Sequence, residues 1–437
     1  MPKNLCILKK KNLRILLFKK FKKKKYETEN FKSSSIFDSF RLLINSISSS
    51  ENISSMLFGG FFSYDLIYNF EKLPYVKKKN NCLDFCFYLA ESFLIINHKK
   101  KISTLQTNVF TKNFLELKRL KKRFQEIKKI LKKKIMSLKI ITTSTHKIFK
   151  IFKNFKKKKF IKNIKILKSL IYCNEIFQIR ISYKFFIPCE HPLNAYQNLK
   201  KKNPYTCTFY MKDQNFILFG YSLENYLKYS SQKNLLQIFS STGMEFRQKN
   251  KNNIFNQNFD IQTELFLRTN QKKLSEHIML IDLIKNDLSK ICKTNSQKIS
   301  QLMKIKKCSN TIYFLSKIIG KLKNNLDIFH FFQAFLNAGI VTGIPKINAM
   351  KIIAQIEKIN RGHYGGSIGY FLGFKKTEMY TILDAAYIEN NIATIQSGIQ
   401  IFLDSCPYQE NFKCFEIAQM ILLTILESNN FSNIFYV

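Results

Sequence analysis

The chain lacks tryptophan altogether, and among 437 residues it has only 13 glycines and 7 prolines. It is also short of negative charge: 29 Asp+Glu against 73 Lys+Arg give a formal charge of +44. Taken alone, that charge points to nucleic acid or an anionic membrane. The lysine runs, however, are spread through the first half (Lys19 to Lys25 around Phe21, Lys77 to Lys79, Lys99 to Lys101, Lys156 to Lys159) and form no single patch. They keep company with Asn, Ile and Phe, residues with A/T-rich codons. Drift in a base-biased genome is the stronger reading, and no nucleic-acid partner is expected.

Other absences narrow the class further. None of the ten cysteines forms a C-x-x-C pair, which argues against zinc and dithiol redox sites and for reduced thiols. No apolar run reaches the ~18 to 20 residues needed to span a bilayer, since Glu91 breaks even Phe87 to Asn97. The Lys-rich start has no long apolar core or cleavage site for secretion, so a cytoplasmic protein is expected. There is no internal repeat, G-x-G-x-x-G, P-loop or H-E-x-x-H, and no Ser/His/Asp order can be singled out.

What remains is apolar and aromatic. Hydrophobic residues make up 45% of the chain and 42 residues are Phe, enough to offset the entropy of ordering a large core. Residues 1–30 read as a basic, poorly ordered tail or degraded helix, followed by a Ser-rich stretch through Ser55. Strand-like alternation begins near Phe58, and residues 111–140 have the spacing of an amphipathic helix. The Lys/Ile/Phe segment 146–168 reads as a connector between an N-terminal region, 31–145, and a second region, 169–430. In that second region strands at 177–186, 206–211 and 216–221 mix with helices at 271–291, 326–336, 347–359 and 412–426. With no regular βαβ repeat, an α+β sandwich is expected.

Three segments carry chemistry. Within the helix 271–291, Glu276 and Asp287 share a face but stand about 16 Å apart along the axis, so a magnesium site would need a carboxylate from elsewhere; spacing alone favours ordinary surface acids. The turn Arg361-Gly-His-Tyr364-Gly365-Gly366 lets backbone N–H groups approach an anion, or is a plain hairpin. Gly343-Ile-Pro345-Lys346 puts a lysine at a helix start, where a carboxylate ligand or plain solvation would suit it.

Together LFGGFFSYDLIYNFEKLP (57–74), NPYTCTFYM (203–211), LSEHIMLIDLIKNDLSKIC (274–292), AGIVTGIPKINAM (338–350), RGHYGGSIGYF (361–371), ENNIATIQSG (389–398) and DSCPYQE (404–410) resemble the large, chorismate-binding subunit of anthranilate synthase, in the family's order and spacing. The resemblance implies the chorismate-utilising fold, antiparallel sheets packed as a sandwich with flanking helices. It also implies conversion of chorismate and ammonia to anthranilate and pyruvate in tryptophan biosynthesis, with Mg2+ on the ring carboxylate. A glutamine amidotransferase subunit would supply the ammonia in a hetero-oligomer.

By position, the resemblance makes Glu276 a magnesium ligand and Tyr364 the hydroxyl on the enolpyruvyl carboxylate. Gly365, Gly366, Gly398, Ile399, Gln400, Gly243 and Met244 fall in substrate-binding segments, and Lys346 at a catalytic position. Tyr313 stands where the family has a catalytic His, Asp384 where an Arg meets the substrate carboxylate, and Lys413 where a second magnesium-binding Glu belongs. Met244 and Ile340 each replace a Thr, and Gln400 a Gly. In the tryptophan feedback site Thr206, Cys207 and Thr208 replace Pro-Tyr-Met. Two readings stay open. Either Glu410 takes over metal binding and Tyr313 proton donation, or the chain is a weakened enzyme or non-catalytic scaffold. Gln178 and Thr242, where related chorismate enzymes place lysines, favour anthranilate over isochorismate and over the runner-up, aminodeoxychorismate.

Overall fold

The computed structural model describes residues 5–10, 13–18, 35–47, 56–78, 81–110, 113–132, 149–153, 157–204, 207–223, 225–248, 255–308, 311–429 and 434–436. Part of the Ser-rich stretch (48–55), the expected helix beyond residue 132 and Thr206 lie outside them.

Two eight-stranded sheets form the body. In spatial order, one runs Lys298–Lys307, Thr311–Lys321, Leu235–Phe246, Asn225–Ser230, Lys376–Thr381, Ser367–Leu372, Leu57–Phe62 and Phe85–Leu89, all antiparallel. The strand Leu57–Phe62 pairs with Ser367–Leu372, so residues from both sides of the 146–168 segment build one sheet. The other runs Ile434–Tyr436, Phe149–Lys153, Gln178–Pro188, Ile392–Ile401, Asp384–Glu389, Ile217–Ser222 and Cys207–Lys212, with Gly343–Ile344 beside Gln178 and Ile179. Residues 157–172, expected within a connector and just past it, form a helix on this second sheet. Leu5–Lys10 and Leu13–Phe18 pair as a hairpin rather than a disordered tail, and Asp38–Ile47 is a helix inside the Ser-rich stretch.

Each sheet has its own helix-side core. Ile179, Ile181, Tyr183, Phe185 and Ile187 alternate along Gln178–Pro188 and pack with the helices Lys157–Tyr172 and Pro407–Ser428. Behind the first sheet the helices Asp38–Ile47, Gln271–Ile291 and Ile328–Phe335 bury a Phe-rich cluster. There the Phe62 ring sits 4.7 Å from Phe87 and 5.1 Å from Phe332. Phe61, Leu218, Ile368 and Tyr387 form a smaller cluster joining the sheets. The other face of Gln178–Pro188 is polar yet equally buried: Gln178, Ser182 and Lys184 are 0%, 3% and 4% exposed. Polar groups shut away from water need partners; Ser182 and Lys184 find theirs in Glu357 and the Asn360 carbonyl, while the Gln178 amide finds none.

Candidate active site

The helix Gln271–Ile291 begins at Asn270, whose side chain accepts from the Lys273 N–H. Leu280, Leu283, Ile284 and Asp287 recur on one helical stripe and wall a cavity closed by Ser240 and Ser241, Gly339 and Ile340, and Asp384. Glu276 lies one turn before Leu280 on that stripe. The acids expected at the surface therefore mark one face of the cavity helix, with Asp287 on the wall itself. Gly365 and Gly366 wall an adjoining cavity that shares Tyr226, Phe335, Ala338 and Thr381 with the first.

Tyr364 is 1% exposed, and its hydroxyl lies so close to Gly398 that a Cβ there would be 2.5 Å from it. The same hydroxyl accepts from Arg180 Nε at 3.0 Å, while Arg180 donates to the carbonyls of Gly398 (2.8 Å) and Ile340 (3.3 Å). One guanidinium thus ties the glycine turn, the Ile392–Ile401 strand and the cavity wall together. Asp384, partly buried, feels the same group. Burial lifts its carboxyl to about 6, and Arg180 pulls it back only in part.

Beneath this cluster Arg361, 1% exposed, donates to Glu357 through Nε (2.9 Å) and Nη2 (2.7 Å), and to the Val341 carbonyl through Nη1 (2.6 Å). Burial opposes the charge on Arg361, but Glu357 holds its pKa above the ordinary value. Glu357 also accepts from the Ser182 N–H and hydroxyl, both at 2.9 Å. Asp65 accepts from the N–H groups of Arg361 (3.2 Å) and Gly362 (2.8 Å).

This corrects one expectation. The three glycine N–H groups of the turn are not free for an anion, because that of Gly362 is spent on Asp65, that of Gly365 on the Ile382 carbonyl and that of Gly366 on the His363 carbonyl. Gly365 has φ +81°, a conformation that suits glycine, and uses it to turn the chain.

At the other end of the cavity helix, burial raises the Glu276 carboxyl to about 7, Asp404 and Glu410 push the same way, and Lys272 and Lys273 oppose them. Glu410 is 9% exposed on the first turn of Pro407–Ser428, and Lys413 reaches it at 3.1 Å. Among the described residues no cluster of three His, Cys, Asp or Glu could hold a metal. Glu276 and Glu410, near enough to repel each other, would suit Mg2+, which takes one or two protein carboxylates and keeps water or substrate oxygens for the rest.

The other expected residues divide. Lys346 is buried, which lowers its pKa; its Nζ lies 3.6 Å from the wall residue Asp287 and 3.5 Å from the Ala334 carbonyl. Gln400 pairs across from Arg180. Gly243 is two residues past the wall residue Ser241, and Met244 is 39% exposed. Tyr313 is not on the wall. Its ring packs with Leu223 and Phe239, which are, and its hydroxyl is 3.5 Å from Cys308 Sγ. Ile399 falls on the opposite face of its strand from Gly398 and packs in the helix-side core, so its side chain is not at the site. Cys207 and Thr208 sit on an edge strand, with Thr208 Oγ1 3.2 Å from the Tyr196 hydroxyl, and line neither cavity.

Sequence reasoning missed Arg180, Glu357 and Arg361, and also His277. Burial pushes the His277 imidazole down to about 4, and its two nitrogens meet Thr242 and Ser316, fixing the cavity helix to the first sheet. The available signals were weak: His277 adjoins Glu276, and Arg180 is two residues from Gln178.

The chorismate binding enzyme family profile matches residues 6–421. Anthranilate synthase component 1 of Buchnera aphidicola subsp. Pemphigus spyrothecae is 43% identical over 96% of this chain and 80% of its own length. That of Escherichia coli is 36% identical over 96% and 80%. The crystal structure of anthranilate synthase component I from Streptococcus pneumoniae superposes with a TM-score of 0.77 at 21% identity, covering 96% of this chain and 93% of that one.

Proposed function

As the chain belongs to the anthranilate synthase component 1 family of chorismate-binding enzymes, we propose that the cavity beside the Gln271–Ile291 helix is where it takes chorismate and ammonia to anthranilate and pyruvate. The observation that carries this is the closure of Tyr364, Gly398 and the Ile340 wall onto one guanidinium, next to the helix bearing Glu276. A dicarboxylate needs a cationic or donor-rich subsite at each end, and the two ends differ in the required way.

Tyr364 accepts a hydrogen bond from Arg180, so its own proton is left for an acceptor. The enolpyruvyl carboxylate fits that role, held against Gly398. At the ring end Glu276 and Glu410 would hold Mg2+. The ion would neutralise the ring carboxylate and so let the ring accept a nucleophile. On the wall Asp287 is paired with Lys346, and their mutual attraction keeps two largely buried charges compensated. Ammonia would come from a glutamine amidotransferase subunit. Cytoplasmic location agrees with the nine described cysteines, all free thiols. Among the described residues no helix is long and apolar enough to cross a membrane.

Lys413 works against the cation. Its ammonium offers no lone pair and competes for Glu410. Lys413→Glu is expected to lower the half-saturating Mg2+ concentration by roughly 10-fold, read from titrations of rate against Mg2+; an unchanged or higher requirement would show that Glu410 is not a ligand.

Asp384 gives a pH prediction. Its folded pKa of about 6 lies above the ordinary carboxyl value, so between roughly pH 4 and 6 the folded chain holds a proton that the unfolded chain has released. Stability from this group therefore falls as pH rises through that window, and above it the buried charge carries its full cost. With Arg180 and Tyr221 as the groups facing it, Asp384→Asn is expected to add about 2 to 3 kcal/mol at pH 8 and nothing at pH 4. Urea unfolding at the two pH values measures both.

The reading as a whole is tested by incubating the purified chain with chorismate, Mg2+ and ammonium, and following anthranilate fluorescence. Product that requires all three supports it; a folded chain that binds chorismate without forming anthranilate would leave the scaffold reading instead.

A further inference from the structure

Among the cations near the site, three are already committed. Arg361 is doubly bonded to Glu357, Lys346 faces Asp287, and the Lys184 ammonium donates to the Asn360 carbonyl at 2.6 Å. Arg180 differs. Its three hydrogen bonds go to neutral oxygens, a phenol and two carbonyls, and Asp384 attracts it without forming an ion pair. A guanidinium has five N–H groups, so two of them have no acceptor among the described residues. A partly buried cation without a counter-ion is costly, and three neutral oxygens do not supply the missing charge.

The groups around it are also donors without recipients. The Tyr364 proton is unspent because its oxygen is the acceptor in the Arg180 bond. Gln400, directly across the ladder from Arg180, has a buried Nε2 with no partner. Gln178, two residues before Arg180 on the same strand face, is 0% exposed and has neither amide atom paired. Convergent donors around an uncompensated cation describe an anion site.

We propose that Arg180 is the carboxylate-binding cation of this chain, with the Tyr364 hydroxyl and the Gln400 amide as its neutral partners, and that it takes the enolpyruvyl carboxylate of chorismate. This rests on the function proposed above. It also accounts for an acid at position 384: the positive charge comes from the Gln178–Pro188 strand, and Asp384 tempers it from the far side of the intervening Ile392–Ile401 strand. The planar fork suits a carboxylate bidentately, which a lysine cannot reproduce. A purely structural Arg180, tying three segments through two carbonyls and a phenol, would need no ligand at all.

The test is calorimetric binding of chorismate to the full chain in Mg2+ without ammonia, so that affinity is read apart from turnover. Arg180→Gln is expected to weaken binding by roughly 30- to 100-fold and Arg180→Lys by about 10-fold. Methylguanidinium in the buffer is expected to recover part of the affinity of Arg180→Ala, a recovery that loss of packing alone would not show. Wild-type affinity in Arg180→Gln would overturn the inference, as would losses in all three variants that methylguanidinium does not reverse. If the wild-type chain binds chorismate through Arg180 yet makes no anthranilate with ammonium, the inference stands and the proposed activity falls. If it does not bind chorismate, both fall.

Discussion

Gly398→Ala is expected to lower kcat/KM for chorismate by about 100-fold while leaving the chain folded. The added Cβ would lie 2.5 Å from the Tyr364 hydroxyl, 2.7 Å from the Ile181 carbonyl and 2.9 Å from Ser182 Cβ. Two of these neighbours belong to the adjacent strand, whose ladder with Ile392–Ile401 runs from Ile179 to Pro188, so they cannot yield far. The phenol has to move instead, and it carries the Arg180 bond with it. A displacement of about 1 Å at a substrate-positioning group is enough for a loss of this size, with an overpacking cost of about 1 to 3 kcal/mol. Steady-state kinetics and urea unfolding on the same sample separate the two effects. A variant with unchanged kcat/KM would mean that the Tyr364–Gly398 contact is not part of the substrate site.

Glu357→Gln is expected to cost about 3 to 5 kcal/mol, the usual penalty for leaving a buried charge uncompensated. The carboxylate accepts four hydrogen bonds, two from Arg361 and two from Ser182. An amide offers one acceptor oxygen and turns donors towards donors. Arg361, at 1% exposure, has no water to fall back on. Because Arg361 also donates to the Arg180 and Val341 carbonyls, the loss should reach the active site as a raised KM as well as a lower urea midpoint. A cost below about 1 kcal/mol would show that the pair is dispensable to the fold.

Much of the framework could be read from the residues. The helix Gln271–Ile291 has the boundaries its periodicity predicts, because an Asn cap precedes it and apolar residues hold the 3.6 spacing to its end. The strand Gln178–Pro188 was visible as alternation, expected at 177–186. Its meaning was not: a period of two separates the faces but does not say whether the polar face meets water or another sheet. Here it meets the Glu357 and Arg361 network, so Arg180, which looks like any solvated arginine on a strand, lies instead among the Tyr364 hydroxyl and the Gly398 and Ile340 carbonyls. The glycines of the turn keep no free N–H for an anion, for a related reason. Those groups are consumed by Asp65, 297 residues from Gly362 in sequence, and by the Ile382 and His363 carbonyls, and no local pattern signals so distant an acceptor as Asp65. Tyr313 was placed by family position alone, and packing took its ring behind the wall. The paired strands Leu5–Lys10 and Leu13–Phe18 escaped notice because neither alternates: short apolar runs stand beside basic residues instead.

The most direct test of the whole account is the yield of both products from chorismate, ammonium and Mg2+ with the purified chain. Anthranilate and pyruvate should accumulate one for one, stop on chelation of the metal, and fall to background in Glu276→Gln. Pyruvate without anthranilate, or turnover indifferent to the chelator and to Glu276, would contradict it.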